Sequence, residues 1–268
     1  MLNAAYRYFL PPRNLKLAVE QSDAIVLRVI PWSETSLIAH IYTRDFGKLS
    51  VLAKGARRPK SPFEVALDLL SICRVVFIAK GSDALDLLTE AKLTRRFRGG
   101  SRELLRLYAG YYVAELLERL TDKQDRQPEI FELAESTLAA ISDPHQELAG
   151  VVLRWELQML RLVGHLPSLR RCAHCGQEVA DAPWWVFGMM SSGVLCTSCQ
   201  VGQRQMIRVP SGAIDELEQF SEASWREIDI SALSSQHRSV IRGVVTRYLT
   251  VLLDRKLQMH PFLEELGR

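Results

Sequence analysis

Leu37-Ile38-Ala39-His40-Ile41-Tyr42-Thr43-Arg44-Asp45-Phe46-Gly47-Lys48-Leu49-Ser50-Val51-Leu52-Ala53-Lys54-Gly55-Ala56-Arg57-Arg58-Pro59-Lys60 reads as a hairpin that runs into a cationic loop. Two strand-like runs, Leu37–Tyr42 and Leu49–Ala53, flank Asp45-Phe46-Gly47, and Asp-x-Gly between such runs signals a tight reversal. Upstream, Ala24-Ile25-Val26-Leu27-Arg28-Val29-Ile30 is β-rich and stops at Pro31. Downstream, Ser71–Ala79 and Ala84–Leu93 make a second pair around Lys80-Gly81-Ser82-Asp83. Five short strands over roughly 70 residues predict a small barrel or sandwich.

The period changes near Ser101. Leu104, Leu105, Tyr108, Tyr111, Tyr112, Leu116 and Leu120 recur at helical spacing, with Ser101-Arg102-Glu103 as a candidate cap. Pro128–Ile141, Glu147–Val163 and Gln236–Gln258 continue in the same manner, the last with Val240, Ile241, Val244, Tyr248, Leu252 and Leu253 on one stripe. The expected class is therefore α+β: residues 1–21 an extension, 22–98 the β domain, and 99–268 a helical domain interrupted at 171–200.

That interruption holds the most specific local signal. Cys172-Ala173-His174-Cys175-Gly176 and Cys196-Thr197-Ser198-Cys199 are two Cys-x-x-Cys pairs at the spacing of a structural zinc site. Each pair sets two thiolates on one knuckle, and four sulfurs leave the ion no open position, so the metal would hold the fold and do no chemistry. Trp184, Trp185, Phe187 and Gly188 suggest a short hairpin between the knuckles. Two disulfides, or a redox pair, would use the same residues. His174 is expected to be exposed, and Cys73, in an apolar strand, to be an inert buried thiol.

Composition excludes several classes. The 268 residues carry 34 Lys and Arg against 31 Asp and Glu, with 47% hydrophobic residues. No apolar run reaches the ~18 residues of a spanning helix, and the amino end lacks the layout of a secretory signal. Residues 1–100 hold 16 basic and 9 acidic side chains, net +7; the remainder is net −4. A basic front on a mildly acidic body points to a polyanionic partner.

Lys54, Arg57, Arg58 and Lys60 lie on a loop marked by Gly55 and Pro59; Arg44 and Lys48 flank the hairpin turn, and Arg95, Arg96 and Arg98 follow the last strand. If the strands close, these nine cations are expected to share a face and track phosphates. Phe46, Phe63 and Phe97 stand beside them as candidates for base stacking or for core filling, whereas Trp32 and His40 read as core residues. No Gly-x-x-x-x-Gly-Lys-Ser/Thr, His-Glu-x-x-His or Gly-x-Ser-x-Gly motif occurs, so no enzyme is expected.

Taken in order, these parts resemble the RecO family of bacterial recombination mediators. The resemblance is carried by Ala24–Arg28 with Glu34-Thr35-Ser36-Leu37, by Phe46–Arg58, by Glu90-Ala91 and by Cys172 to Cys199. Residues 1–21 lack a counterpart in a typical member, and Gln258-Met259 replace a usual Lys-Ser pair near the end. The resemblance implies an amino-terminal OB-fold that binds single- and double-stranded DNA and anneals complementary strands, a structural Zn2+, and a cytoplasmic, nucleoid-associated, non-enzymatic role. It also implies as partners RecR, the acidic tail of single-strand binding protein (for which Arg106, Arg154 and Arg161 are candidate cations) and, indirectly, RecA. A zinc-ribbon and barrel protein that binds RNA or a protein partner in transcription or assembly is the other reading.

Overall fold

Period-two alternation along five strands separates the inside of a barrel from its outside. In the computed structural model, which describes residues 18–61, 63, 66–80, 85–101, 103–222 and 234–267, β1 (Ala18–Pro31), β2 (Leu37–Thr43), β3 (Gly47–Ala53), β4 (Ile72–Ala79) and β5 (Asp86–Arg95) close in the order β1-β2-β3-β5-β4. Only β3 and β5 pair in parallel; this is an OB-fold arrangement. Closure depends on β1. Its first half pairs with β4 (Ala18↔Ala79 to Ile25↔Ile72), and its second half with β2 as far as Pro31↔Leu37. The barrel thus begins at Ala18, inside the stretch expected to be an extension; residues 1–17 lie outside those described, as does the Gly81-Ser82-Asp83 turn.

A bulge between Val26 and Arg28 shifts the register of β1 by one residue. Without it Arg28 would follow Ala24 and Val26 into the interior; with it Val29 points in and Arg28 stays exposed. The interior is filled by Ala24, Val26, Ala39, Ile41, Leu49, Val51, Cys73, Val75, Phe77 and Leu88, with Phe63 and Leu67 packed into it from the β3–β4 connection. Cys73 is inert, since burial pushes its thiol up to about 12. His40 is half-buried beside Ser50, its Nδ1 3.0 Å from the hydroxyl.

Part of the barrel's outer surface is covered as well. Ile25, Leu27, Tyr42, Leu70 and Ile72 enter one continuous core with the helices α1 (Leu104–Leu120), α2 (Pro128–Ser142), α3 (Leu148–Leu162), α4 (Ser211–Glu222) and α5 (Ser235–Leu252). Pro128 opens α2, where its missing N–H costs nothing. Helix α1 starts at Leu104 after Glu103, with no side-chain cap of the kind expected from Ser101; Arg102 lies outside the described residues. The last helix stops at Leu252 rather than Gln258. A 3-10 turn over His260–Gly267 then folds back, its entry fixed by Glu115, whose carboxylate accepts from the backbone N–H groups of Gln258 (2.7 Å) and Met259 (3.1 Å).

Polar groups tie this return segment to the core. Glu156, fully buried on α3, accepts the Tyr112 hydroxyl proton (2.6 Å) and pairs with Arg242 of α5. That proton being committed, His260 Nε2, 3.0 Å away, donates to the Tyr112 oxygen. Burial raises the Glu156 pKa and, with Arg242 nearby, lowers that of His260 to about 4.

The cysteine region is a three-stranded sheet, β7-β6-β8, of β6 (Trp184–Gly188), β7 (Gly193–Leu195) and β8 (Met206–Pro210). The expected hairpin is present, and a third strand beyond residue 200 completes it. Trp185, Phe187, Met189, Val194 and Val209 bury the sheet in the main core. Among the described residues no helix is long and apolar enough to cross a membrane.

Candidate nucleic-acid interface and metal centre

The two knuckles bring all four expected cysteines together. Gly176 adopts φ +74°, a backbone open to glycine, and its N–H bonds back to the Cys172 carbonyl (2.8 Å); Cys199 N–H does the same to Cys196 (3.0 Å). Ala173 N–H bonds to Val194 O (2.8 Å), which pins the first knuckle beside β7. The four ligand atoms lie within 4.8 Å of one another, and Cys175 and Cys196 sulfurs are 3.8 Å apart. Four Zn–S bonds of about 2.3 Å in a tetrahedron require S···S separations of about 3.8 Å, so the set fits a metal ion. Charge points the same way. Burial works against ionising Cys172, but backbone hydrogen bonds around the knuckles outweigh it and bring its thiol down to about 6. The Cys196 side chain meanwhile pushes Cys199 up to about 12. Thiolates crowded in this way repel one another until a cation joins them. His174 is exposed and outside the cluster.

At one end of the barrel, the β3–β4 loop closes against the β1–β2 turn. Trp32 N–H and Ser33 N–H both bond to Ser36 O (3.0 and 3.3 Å), which makes that turn tight. Arg57 fastens the loop to it, donating from its backbone to Thr35 O (3.0 Å) and from Nη1 to Ser33 O (3.1 Å). Gly55 (φ +76°) and the Arg58 N–H bond to Gly55 O (3.1 Å) turn the loop back on itself. Lys54, Arg57, Arg58 and Lys60 are all exposed. Trp32, Ser33, Leu52, Lys54, Gly55 and Arg58 line a shallow groove of about 290 Å³.

Comparison with known proteins settles the family. Residues 17–97 match the family model described as Recombination protein O N terminal, and residues 101–260 match Recombination protein O C terminal. A protein named DNA repair protein RecO from Rhodopirellula baltica is 39% identical over 90% of this chain and 98% of its own length. Proteins of the same name from Symbiobacterium thermophilum (28%; 93% and 98%) and Listeria monocytogenes (27%; 93% and 96%) are similar along nearly the whole chain. The chain belongs to the RecO family.

Within this RecO chain the nine expected cations separate into three groups. Lys54, Arg57, Arg58 and Lys60 share the exposed loop. Arg44 and Lys48 do not join them. The Lys48 ammonium reaches the carbonyls of Glu118 (2.7 Å) and Thr121 at the end of α1, where the last carbonyls and the helix dipole attract a cation. Burial holds its pKa below the usual lysine value. Arg44 pairs with Glu132 of α2 (2.5 Å) and lies over the Phe131 ring. Gly47 between them is obligatory, since an added Cβ would sit 2.0 Å from the Asp125 carbonyl oxygen. The hairpin tip is a clasp between barrel and helices.

Arg95, Arg96 and Arg98 form the third group. They do not lie beside the loop: β5 meets β3 only at its start, Val51↔Asp86 to Ala53↔Leu88, and Arg95 lies opposite Ile72 at the far end of the strand. They line a different groove, of about 890 Å³, against Leu138, Ala139 and Ser142 of α2. Arg95 pairs there with Glu135, and Arg96 with Asp68 at 3.4 Å; Arg98 is exposed.

The three phenylalanines are packing residues. Phe46 meets Phe77 edge-on (5.3 Å between centroids), Phe63 fills the barrel, and Phe97 packs on Gly99 and Gly110. Trp32 reverses its expectation: it is 62% exposed, because the chain turns away from the sheet at Pro31. Its setting in Pro31-Trp32-Ser33-Glu34, with no apolar residue to continue the alternation, was the available signal. Arg106 is also reassigned. It is buried and donates to the carbonyls of Ile141, Asp143 and Gln146 (3.0 Å each) at the end of α2, so it is not open to an acidic tail. Arg161 is exposed and Arg154 half-buried.

Proposed function

We propose that this chain is a non-enzymatic recombination mediator of the cytoplasm and nucleoid, binding single- and double-stranded DNA and annealing complementary strands. The observation that carries the reading is the loop Lys54–Lys60, clasped to the β1–β2 turn with its cations left to solvent on an OB barrel. Annealing needs two strands held with their charge screened and their bases free, which contacts mainly to phosphates provide. RecR, the acidic tail of single-strand binding protein and, through them, RecA are the partners that go with this role. The four cysteines hold a structural zinc ion that fixes the ribbon and leaves no position for a substrate.

Strand annealing between two complementary oligonucleotides, one coated by single-strand binding protein, tests the reading at low and high salt. Acceleration that fades with salt is expected. No acceleration by folded, zinc-loaded protein would instead favour a barrel-and-ribbon protein whose partner is RNA or another protein. Divalent-metal-dependent loss of the DNA would make the protein a nuclease. Metal analysis should find one zinc per chain.

A further inference from the structure

Trp32 is an exposed indole on a rigid mount, and nothing described covers it. Exposed single apolar residues are ordinary, but three observations set this one apart. Its turn is fixed from within, by the Trp32 and Ser33 bonds to Ser36 O, and from outside, by the two Arg57 bonds to Ser33 and Thr35. It borders a groove that Leu52, Lys54 and Arg58 also line, so an apolar face and two exposed cations meet at one place. Among the described residues the other exposed indole, Trp184 (49% exposed), already carries the Arg208 guanidinium 5.7 Å from its ring centroid. Among the described residues no ring or cation stacks on Trp32.

We propose that Trp32 is a base-stacking platform, which makes the groove between the β1–β2 turn and the Lys54–Lys60 loop a site for an unpaired nucleotide of single-stranded DNA. This rests on the DNA-binding reading above and adds a distinction that phosphate contacts alone cannot make. Lys54 and Arg58 meet any phosphate, in single strand or duplex. An indole face needs a base with a free face, and a duplex base must first leave its stack. The same groove therefore holds a captured strand more tightly than the annealed product, which favours release of the duplex once it has formed.

The test uses the full chain and three probes: an oligothymidylate of about 16 nucleotides, near the upper end of an OB-fold site; an oligonucleotide of equal length carrying abasic residues; and a duplex of that length. Trp32→Ala is expected to weaken oligothymidylate binding about 5- to 150-fold, the range of one base–aromatic stack. Binding of the abasic strand and the duplex, the slope of affinity against salt and the melting temperature should not change. Trp32→Phe should keep most of the preference for bases. If Trp32→Ala binds oligothymidylate as the parent does, or loses affinity for all three probes alike, the platform is refuted while the phosphate site stands. If the parent protein binds none of the probes, the DNA-binding reading itself fails.

Discussion

Two cationic stretches flank β3, and they do opposite work. At its start, Arg44 and Lys48 are turned onto a carboxylate and two helix-end carbonyls. At its end, Lys54, Arg57, Arg58 and Lys60 face solvent, and Arg57 spends its short-range bonds on the neighbouring turn. A carbonyl, a carboxylate and a phosphate all attract the same positive head. What differs is whether the fold delivers an acceptor before a ligand arrives.

Removing the loop cations should have the largest effect. Arg57→Ala, Arg58→Ala and Lys60→Ala together should flatten the salt slope for a single strand by about 2, at roughly 0.7 per phosphate. That corresponds to about a hundredfold weaker binding at 0.1 M salt, the same for every sequence, with an unchanged melting temperature. Fluorescence anisotropy titrations at several salt concentrations would show it; unaltered binding would break the comparison.

Lys48→Met should do the reverse. It leaves the α1 carbonyls without their donor and should cost about 2–3 kcal/mol in urea unfolding, within the range for buried hydrogen bonds to charged groups. The salt slope of the folded variant should match the parent. A variant of parental stability with a shallower slope would return Lys48 to the phosphate track.

Acid sharpens the contrast, because the Lys54–Lys60 loop contains no histidine whereas the helical body holds His260. With a folded value of about 4 and an unfolded value near 6.5, His260 takes up its proton first in the unfolded chain. Stability is complete above about pH 6.5 and falls as pH drops toward 4. At pH 5 this histidine should cost about 2 kcal/mol, an amount missing in His260→Gln; Glu156 titrates in both proteins and cancels in the comparison. Equal pH dependence of the two unfolding curves would discard the assignment.

The smallest effect belongs to Arg44. Its half-exposed pair with Glu132 should contribute about 0.5–1 kcal/mol in a double-mutant cycle with Glu132→Ala. A larger coupling would mean that the clasp is built on this pair rather than on Lys48.

How far the sequence carries follows from the range of each interaction. The strands from Leu37 to Ala53 and the helices α1 to α3 were legible because alternation and helical periodicity are local. So was the cysteine cluster, since each knuckle needs only four neighbouring residues. Ala18–Gln21 was not, because its strand character comes from β4, whose partner residues begin at Val76. Lys48 could not be assigned either: its acceptors, Glu118 and Thr121, are 70 and 73 positions away. Met206–Pro210 is a short run that becomes a strand only because β6 is already there to pair with it.

The continuous core has a consequence for how the chain is made. The barrel cannot close until β4 and β5 have been synthesised, because β1 pairs with β4 and β3 with β5. Even a closed barrel would carry Ile25, Leu27, Tyr42, Leu70 and Ile72 on its outside. These side chains wait in water until the ribosome has delivered the helices that cover them, an interval in which nascent barrels can stick to one another. The barrel is thus an incomplete folding unit, sheltered by helices that are synthesised after it.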